Sequence, residues 1–133
     1  MKRLLILLIF YCCFLVGCGG KPQMINNVDE FEALFNEAIK YDIRSDELCE
    51  EGHIKDFLCV GSKDSDTIAK NIDIIAKNKR VNIVLIGDEE KVIYILNNLS
   101  RKGYKNLYYF EGGYIGYVQA KGDSFVPETG CGC

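Results

Sequence analysis

Residues 82–86 read Asn-Ile-Val-Leu-Ile, and a helical stripe of Val92, Ile95, Leu96 and Leu99 comes within a few positions. A strand that is apolar at successive positions leaves no face for water, so it must lie inside a sheet covered on both sides. The stripe beside it describes one such cover, a helix with a single buried face. A buried strand leading straight into an amphipathic helix is a parallel-sheet signature, and it excludes simple helical bundles and open β-sandwiches.

The same alternation extends along the chain. Asn27 followed by Glu30 has the form of a capping box, and Val28, Phe31, Leu34 and Phe35 recur at helical spacing, which predicts a short helix over 29–36. Residues 38–43 fit either period, although Ile39, Tyr41 and Ile43 alternate as in a strand. Residues 58–60 form a short apolar piece, and Asp66 is placed to cap a helix whose stripe is Ile68, Ile72, Ile75 and Ala76. Gly103 stops the second long helix, residues 107–110 read as a further strand, and Gly112 with Gly113 as a tight turn. Together these predict one α/β domain, a parallel sheet flanked by helices on both faces, with no internal repeat.

The amino terminus has a different character. Met1, Lys2 and Arg3 are followed by an apolar run over 4–16 and by small Gly17, the layout of a secretory signal. That run is shorter than the roughly 20 residues a spanning helix needs. Leu15, Val16, Gly17 and Cys18 resemble the lipobox of bacterial lipoproteins. The resemblance implies a diacylglyceryl thioether on Cys18, cleavage before it, and palmitate-type acylation of the new terminus, with Cys12 and Cys13 lost. Residues 1–17 are then a signal peptide, 18–23 a tether, 24–127 the domain and 128–133 a Cys-Gly-Cys tail. The expected location is the cell envelope, with the lipid on Cys18 making the membrane a partner; each buried CH₂ adds about 0.8 kcal/mol of anchoring. Loss of Lys2 and Arg3, with no acid lost, takes the net charge from −3 to −5. An acidic chain of this kind is not expected to bind nucleic acid.

Four short motifs stand in order: Asp42, Ile43, Arg44; then Glu50, Glu51, Gly52, His53, Ile54; then Lys102 to Leu107; then Phe110, Glu111, Gly112, Gly113. In that order and spacing they resemble the signatures of the rhodanese-like domain, from about residue 24 to 127. The resemblance implies a parallel sheet of about five strands flanked by helices. It also implies a loop after the fourth strand that, in sulfurtransferases, begins with a cysteine facing backbone N–H groups and a helix N-terminus, which stabilise a thiolate or persulfide.

Here the corresponding stretch is Ile86, Gly87, Asp88, Glu89, Glu90, Lys91, about one residue shorter than the common active loop and without a cysteine. Either Ile86 or Gly87 takes the cysteine's place. Three acids would repel thiosulfate, persulfide or phosphate, so neither sulfur transfer nor phosphatase chemistry is expected. Asp88, Glu89 and Glu90 read as a cap and dipole complement for the next helix, with a cation or basic-ligand site as the alternative. Asp42 and Arg44 are placed beside this loop, adjacent to the pocket where open α/β sheets bind ligands, and read as an ion pair or turn cap.

His53, the one histidine, reads as a packed structural residue, and Cys49 and Cys59 as buried free thiols acting as small hydrophobes. The carboxyl terminus carries the sharper signal, because Cys131 and Cys133 flank a single glycine and could close a small, reducible ring. No cofactor and no metal site are expected, since a tetrahedral metal wants four ligands. Two functional readings result. One is a lipid-anchored rhodanese-like module without sulfurtransferase activity that binds an envelope protein or small ligand. The other is a thiol redox or sulfur-carrier protein using Cys131 and Cys133.

Overall fold

The computed structural model describes residues 19–130. The signal segment, Cys18, Cys131 and Cys133 lie outside the described residues. Five strands, β1 (Gln23–Ile25), β2 (Ile39–Asp42), β3 (Leu58–Cys59), β4 (Asn82–Ile86) and β5 (Asn106–Phe110), form one sheet in the order β1-β5-β4-β2-β3. Every pairing is parallel. The helices are α1 (Val28–Glu32), α2 (Asp46–Glu51), α3 (Ser65–Ile75), α4 (Glu89–Arg101) and α5 (Gly113–Lys121), followed by a 3₁₀ turn at Gly122–Ser124.

The central strand behaves as its composition demands. Ile83 and Leu85 point into a core with Ile68 and Ile72 of α3 and Val92, Ile95, Leu96 and Leu99 of α4. Val84 and Ile86 point the other way, into a second core of Phe31, Ile54, Phe57, Phe110 and Tyr117. These four β4 side chains are excluded from solvent, and Asn82 at the start of the strand is half-buried. Burying each is worth about 1.5 to 3 kcal/mol, which is why this strand anchors both layers. In the first core Tyr104 donates to Asp73 Oδ1 at 2.7 Å, and burial, reinforced by Asp73, pushes its phenol up to about 12.

Several boundaries differ from the sequence expectation, each for a local reason. Helix α1 stops at Glu32, and Leu34 and Phe35 continue as a turn that ends near Glu37, whose φ is 58°. Its cap is Asn27, accepting the Glu30 N–H at 2.9 Å. Helix α3 is capped by Asp64 rather than Asp66: Asp64 accepts the Thr67 N–H at 2.8 Å and its hydroxyl at 2.9 Å. Helix α2, unforeseen in the sequence, buries only Cys49 and so shows no periodic stripe. Gly112 and Gly113 turn the chain as expected, but left-handed Gly112 (φ 75°) is also the entry to α5.

The segment read as a tether is partly built into the sheet. Gln23 starts β1 and pairs with Tyr108. Ahead of it, the Gly20 N–H donates to the Tyr104 carbonyl at 2.8 Å and its own carbonyl accepts from Ser100 Oγ at 2.6 Å. No described helix is long and apolar enough to cross a membrane.

Candidate functional site

Because all five strands run parallel, their carboxyl ends meet at one edge. The chain leaves β2 outward to β3 and returns on the opposite side of β2 as β4, so the switch point lies between β2 and β4. Ligands of open α/β sheets bind at such a point. Here it is flanked by Asp42, the last residue of β2, with Arg44 just beyond it, and by residues 86–91, which run from the end of β4 into the first turn of α4.

Asp42 is fully buried and spans a fork from Arg44. Arg44 Nε donates to both carboxylate oxygens, at 3.0 and 3.1 Å, and Nη2 to Oδ2 at 2.6 Å and to the Gly52 carbonyl at 2.7 Å. The guanidinium carbon also lies 3.7 Å from the centroid of the Tyr114 ring. The cation is thus engaged within the protein along its edge and on one face. Arg44 therefore braces β2 against α2 and α5.

The β4–α4 loop is closed by packing. Ile86 faces the second core, and the Ile43 N–H donates to its carbonyl at 2.8 Å. Gly87 has φ 151°, and a Cβ placed on it would meet Ile43 Cγ1 at 2.5 Å. From the other side Gly113 presses so near that its own Cβ would stand 2.8 Å from the Gly87 carbonyl oxygen. Neither Ile86 nor Gly87 offers a reactive atom, and a side chain at Gly87 would force Ile43 to shift.

The start of α4 is complemented by its own acids. Asp88 caps the helix, accepting the Lys91 N–H at 3.2 Å, and Glu89 and Glu90 occupy the first turn, where carboxylates offset the helix dipole. The amino termini of α3 and α4 share a cleft of about 480 Å³ lined by Asp64, Asp66, Asp88, Glu90, Lys91 and Tyr94. Tyr94 donates to Asp66 Oδ1 at 2.8 Å, and that bond, with the charge behind it, raises the phenol above its ordinary range. Two helix termini that could hold an oxyanion instead hold the protein's own Asp64 and Asp88. A larger cavity, about 630 Å³, opens between Ile39, Ile75 and Asn82 at the amino ends of β2 and β4, away from the switch point.

The expectation for Cys49 and Cys59 is corrected. They are not free thiols but a disulfide, with Cα atoms 5.8 Å apart. Cys49 on the buried side of α2 meets Cys59 at the carboxyl end of β3, a contact hidden in the sequence because α2 itself has no periodic signal. Cys49, His53 and Cys59 bring donor atoms within 4.8 Å of one another, but the disulfide removes both thiolates from any ligand set. His53 is buried, its ring nitrogen Nδ1 lies 2.8 Å from the Cys49 carbonyl, and its backbone exchanges two hydrogen bonds with Glu128, each 2.9 Å. Glu128, assigned by sequence to the tail, is thus part of the folded domain. Beyond it the Gly130 N–H donates to the Glu50 carbonyl at 2.8 Å.

The family model described as Rhodanese-like domain matches residues 27–120. The chain belongs to the rhodanese-like family. Its parallel five-stranded sheet, with helices on both faces, is a rhodanese-like fold. Two solved structures from Anabaena sp. are similar to it. One is of the Alr3790 protein, with a TM-score of 0.62 and 16% identity over 77% of this chain and 80% of that one. The other is the Rhodanese_3 like domain of the same Anabaena protein, with a TM-score of 0.56 and 16% identity over 70% of this chain and 93% of that one. Identity this low carries the fold and nothing finer. No curated protein matches the chain.

Proposed function

We propose that this rhodanese-like chain is a lipid-anchored module of a bacterial cell envelope that binds a protein or small ligand and does not transfer sulfur. The observation that carries the second half is Gly87. In the rhodanese-like sulfurtransferases the loop after the fourth strand presents a cysteine, whereas here Ile43 occupies the space in which even a Cβ would stand. The surroundings agree, since four carboxylates against one amine in the α3–α4 cleft oppose an anionic sulfur donor. The anchoring half rests on the lipobox-like Leu15, Val16, Gly17, Cys18, and the acylated Cys18 supplies the membrane contact.

The second reading, a thiol carrier using Cys131 and Cys133, has one support: the Gly130 N–H is bonded to Glu50, so the last described residue lies near the Cys49–Cys59 disulfide. It is less favoured because the sequence Gly130, Cys131, Gly132, Cys133 carries no strand-to-helix signal of the kind that gives a rhodanese thiol its N–H cradle.

Anchoring has a direct test. Expressed at full length in a bacterial host fed labelled palmitate, the wild-type chain is expected to carry label and to sediment with membranes. Cys18→Ser is expected to lose the label and to be released from the membrane fraction. Undiminished labelling of Cys18→Ser, or an unlabelled and freely soluble wild type, would remove the lipid anchor from this proposal.

A further inference from the structure

A second constellation lies away from the β4–α4 loop. Cys49 is fully buried while Cys59, its disulfide partner, is partly exposed, so the pair has an inner and an outer member. The ring of His53, 1% exposed, sets Nδ1 at 2.8 Å from the Cys49 carbonyl and 3.9 Å from Cys59 Sγ. A carbonyl accepts only from N–H, so Nδ1 carries the proton and Nε2 is the nitrogen left to gain or lose one. Across from Nε2, at 4.0 Å, stands Glu128 Oε2. That carboxylate is held in place, because the Asp56 N–H donates to it at 2.9 Å and left-handed Asp56 (φ 68°) shapes the turn. A cavity of about 240 Å³ opens between His53, Asp56, Phe57, Leu58 and Glu128. A purely structural disulfide needs neither a buried imidazole beside one sulfur nor a carboxylate on that imidazole's far nitrogen.

We propose that Cys49–Cys59 is a redox-active disulfide that accepts electrons from a dithiol, with Cys59 as the sulfur attacked and His53, supported by Glu128, stabilising the Cys59 thiolate. This goes beyond the binding role above and uses neither the β4–α4 loop nor the lipid. One thiolate of the dithiol attacks Cys59 Sγ, the Cys49–Cys59 bond breaks, and its electron pair leaves on Cys49, which takes the proton released by the attacking thiol. The second thiol of the dithiol then attacks the partner sulfur of the mixed disulfide. The bond to Cys59 breaks, the dithiol closes its own disulfide, and Cys59 leaves as thiolate while His53 Nε2 takes the second proton. Two electrons and two protons have passed to the protein, and the Cys59 thiolate faces an imidazolium that Glu128 neutralises. Of the other charged groups, Asp56 lines the rim of the same cavity, and the Arg44 guanidinium meets the carbonyl of Gly52, the residue before His53.

The test takes the mature protein, with dithiothreitol as the dithiol, followed by iodoacetamide pulses from about pH 5.5 to 9 and mapping of the label by mass spectrometry. Dithiothreitol is expected to open the pair in the folded protein, and Cys59 to be labelled ahead of Cys49. Near pH 6 the Cys59 rate is expected to exceed that of glutathione by about tenfold or more. His53→Asn should lose that acid-side reactivity. Glu128→Gln, at a half-exposed side chain that leaves the core intact, should lower it about threefold or more while leaving the rate above pH 9 unchanged. A disulfide that dithiothreitol cannot open without unfolding the domain would overturn the proposal. So would a Cys59 rate and pH profile matching glutathione in both the wild type and Glu128→Gln.

Discussion

Replacing Arg44 by alanine is expected to cost about 3 to 5 kcal/mol of folding stability, measured as the shift in a urea unfolding curve. The magnitude follows from Asp42. Its carboxylate is fully buried, and among the described residues its hydrogen bonds come from the Arg44 backbone N–H and the Arg44 guanidinium. Removing the partner strands a charge in the interior, which is far worse than losing an exposed pair. Arg44→Lys should recover little, since an ammonium cannot fork across both oxygens, reach Gly52 and lie flat on Tyr114. The double replacement Asp42→Asn with Arg44→Met should recover much of the loss, because it removes the buried charge along with its partner. A cost below about 1 kcal/mol for Arg44→Ala would mean that the pair behaves as a surface ion pair.

Gly87 supplies the second large effect. Gly87→Ala and Gly87→Cys are each expected to lower stability by about 2 kcal/mol or more, combining backbone strain with overpacking. The two should be alike, because the offending atom is the shared Cβ, 2.5 Å from Ile43 Cγ1. Equal and large losses in urea melts would confirm a loop closed against any side chain. A loss under about 0.5 kcal/mol for either would show that the Ile43 contact yields easily and that the loop could accommodate a nucleophile.

The sheet and its two long helices were legible because their signals are local and strong. Residues 82–86 have no polar face to expose, and the stripe from Val92 to Leu99 fits one helical period. The β4–α4 loop was readable from the strand end and from the absence of a cysteine in residues 86–91. The residues alone could not disclose contact between distant segments. Cys49 meets Cys59 only because the non-periodic α2 folds beside β3, and Glu128 returns from the far end of the chain to sit against His53. Gln23 read as tether because a short edge strand with little burial carries no pattern of its own. Ile43 fitted the strand alternation but lies just past the end of β2, and its position over Gly87 depends on β2 and β4 being neighbours. Asp64 was the more readable miss, since its spacing to Thr67 has the form of an N-cap.

The central claim is a rhodanese-like fold whose loop cannot host the family's nucleophile, and the thiosulfate-to-cyanide assay tests it most directly. Purified mature protein, supplied with thiosulfate and cyanide, is expected to form thiocyanate no faster than the uncatalysed background, with Cys131→Ser and Cys133→Ser indistinguishable from wild type. Sustained turnover that disappears in Cys131→Ser or Cys133→Ser would contradict it and move the sulfur chemistry to the carboxyl-terminal pair.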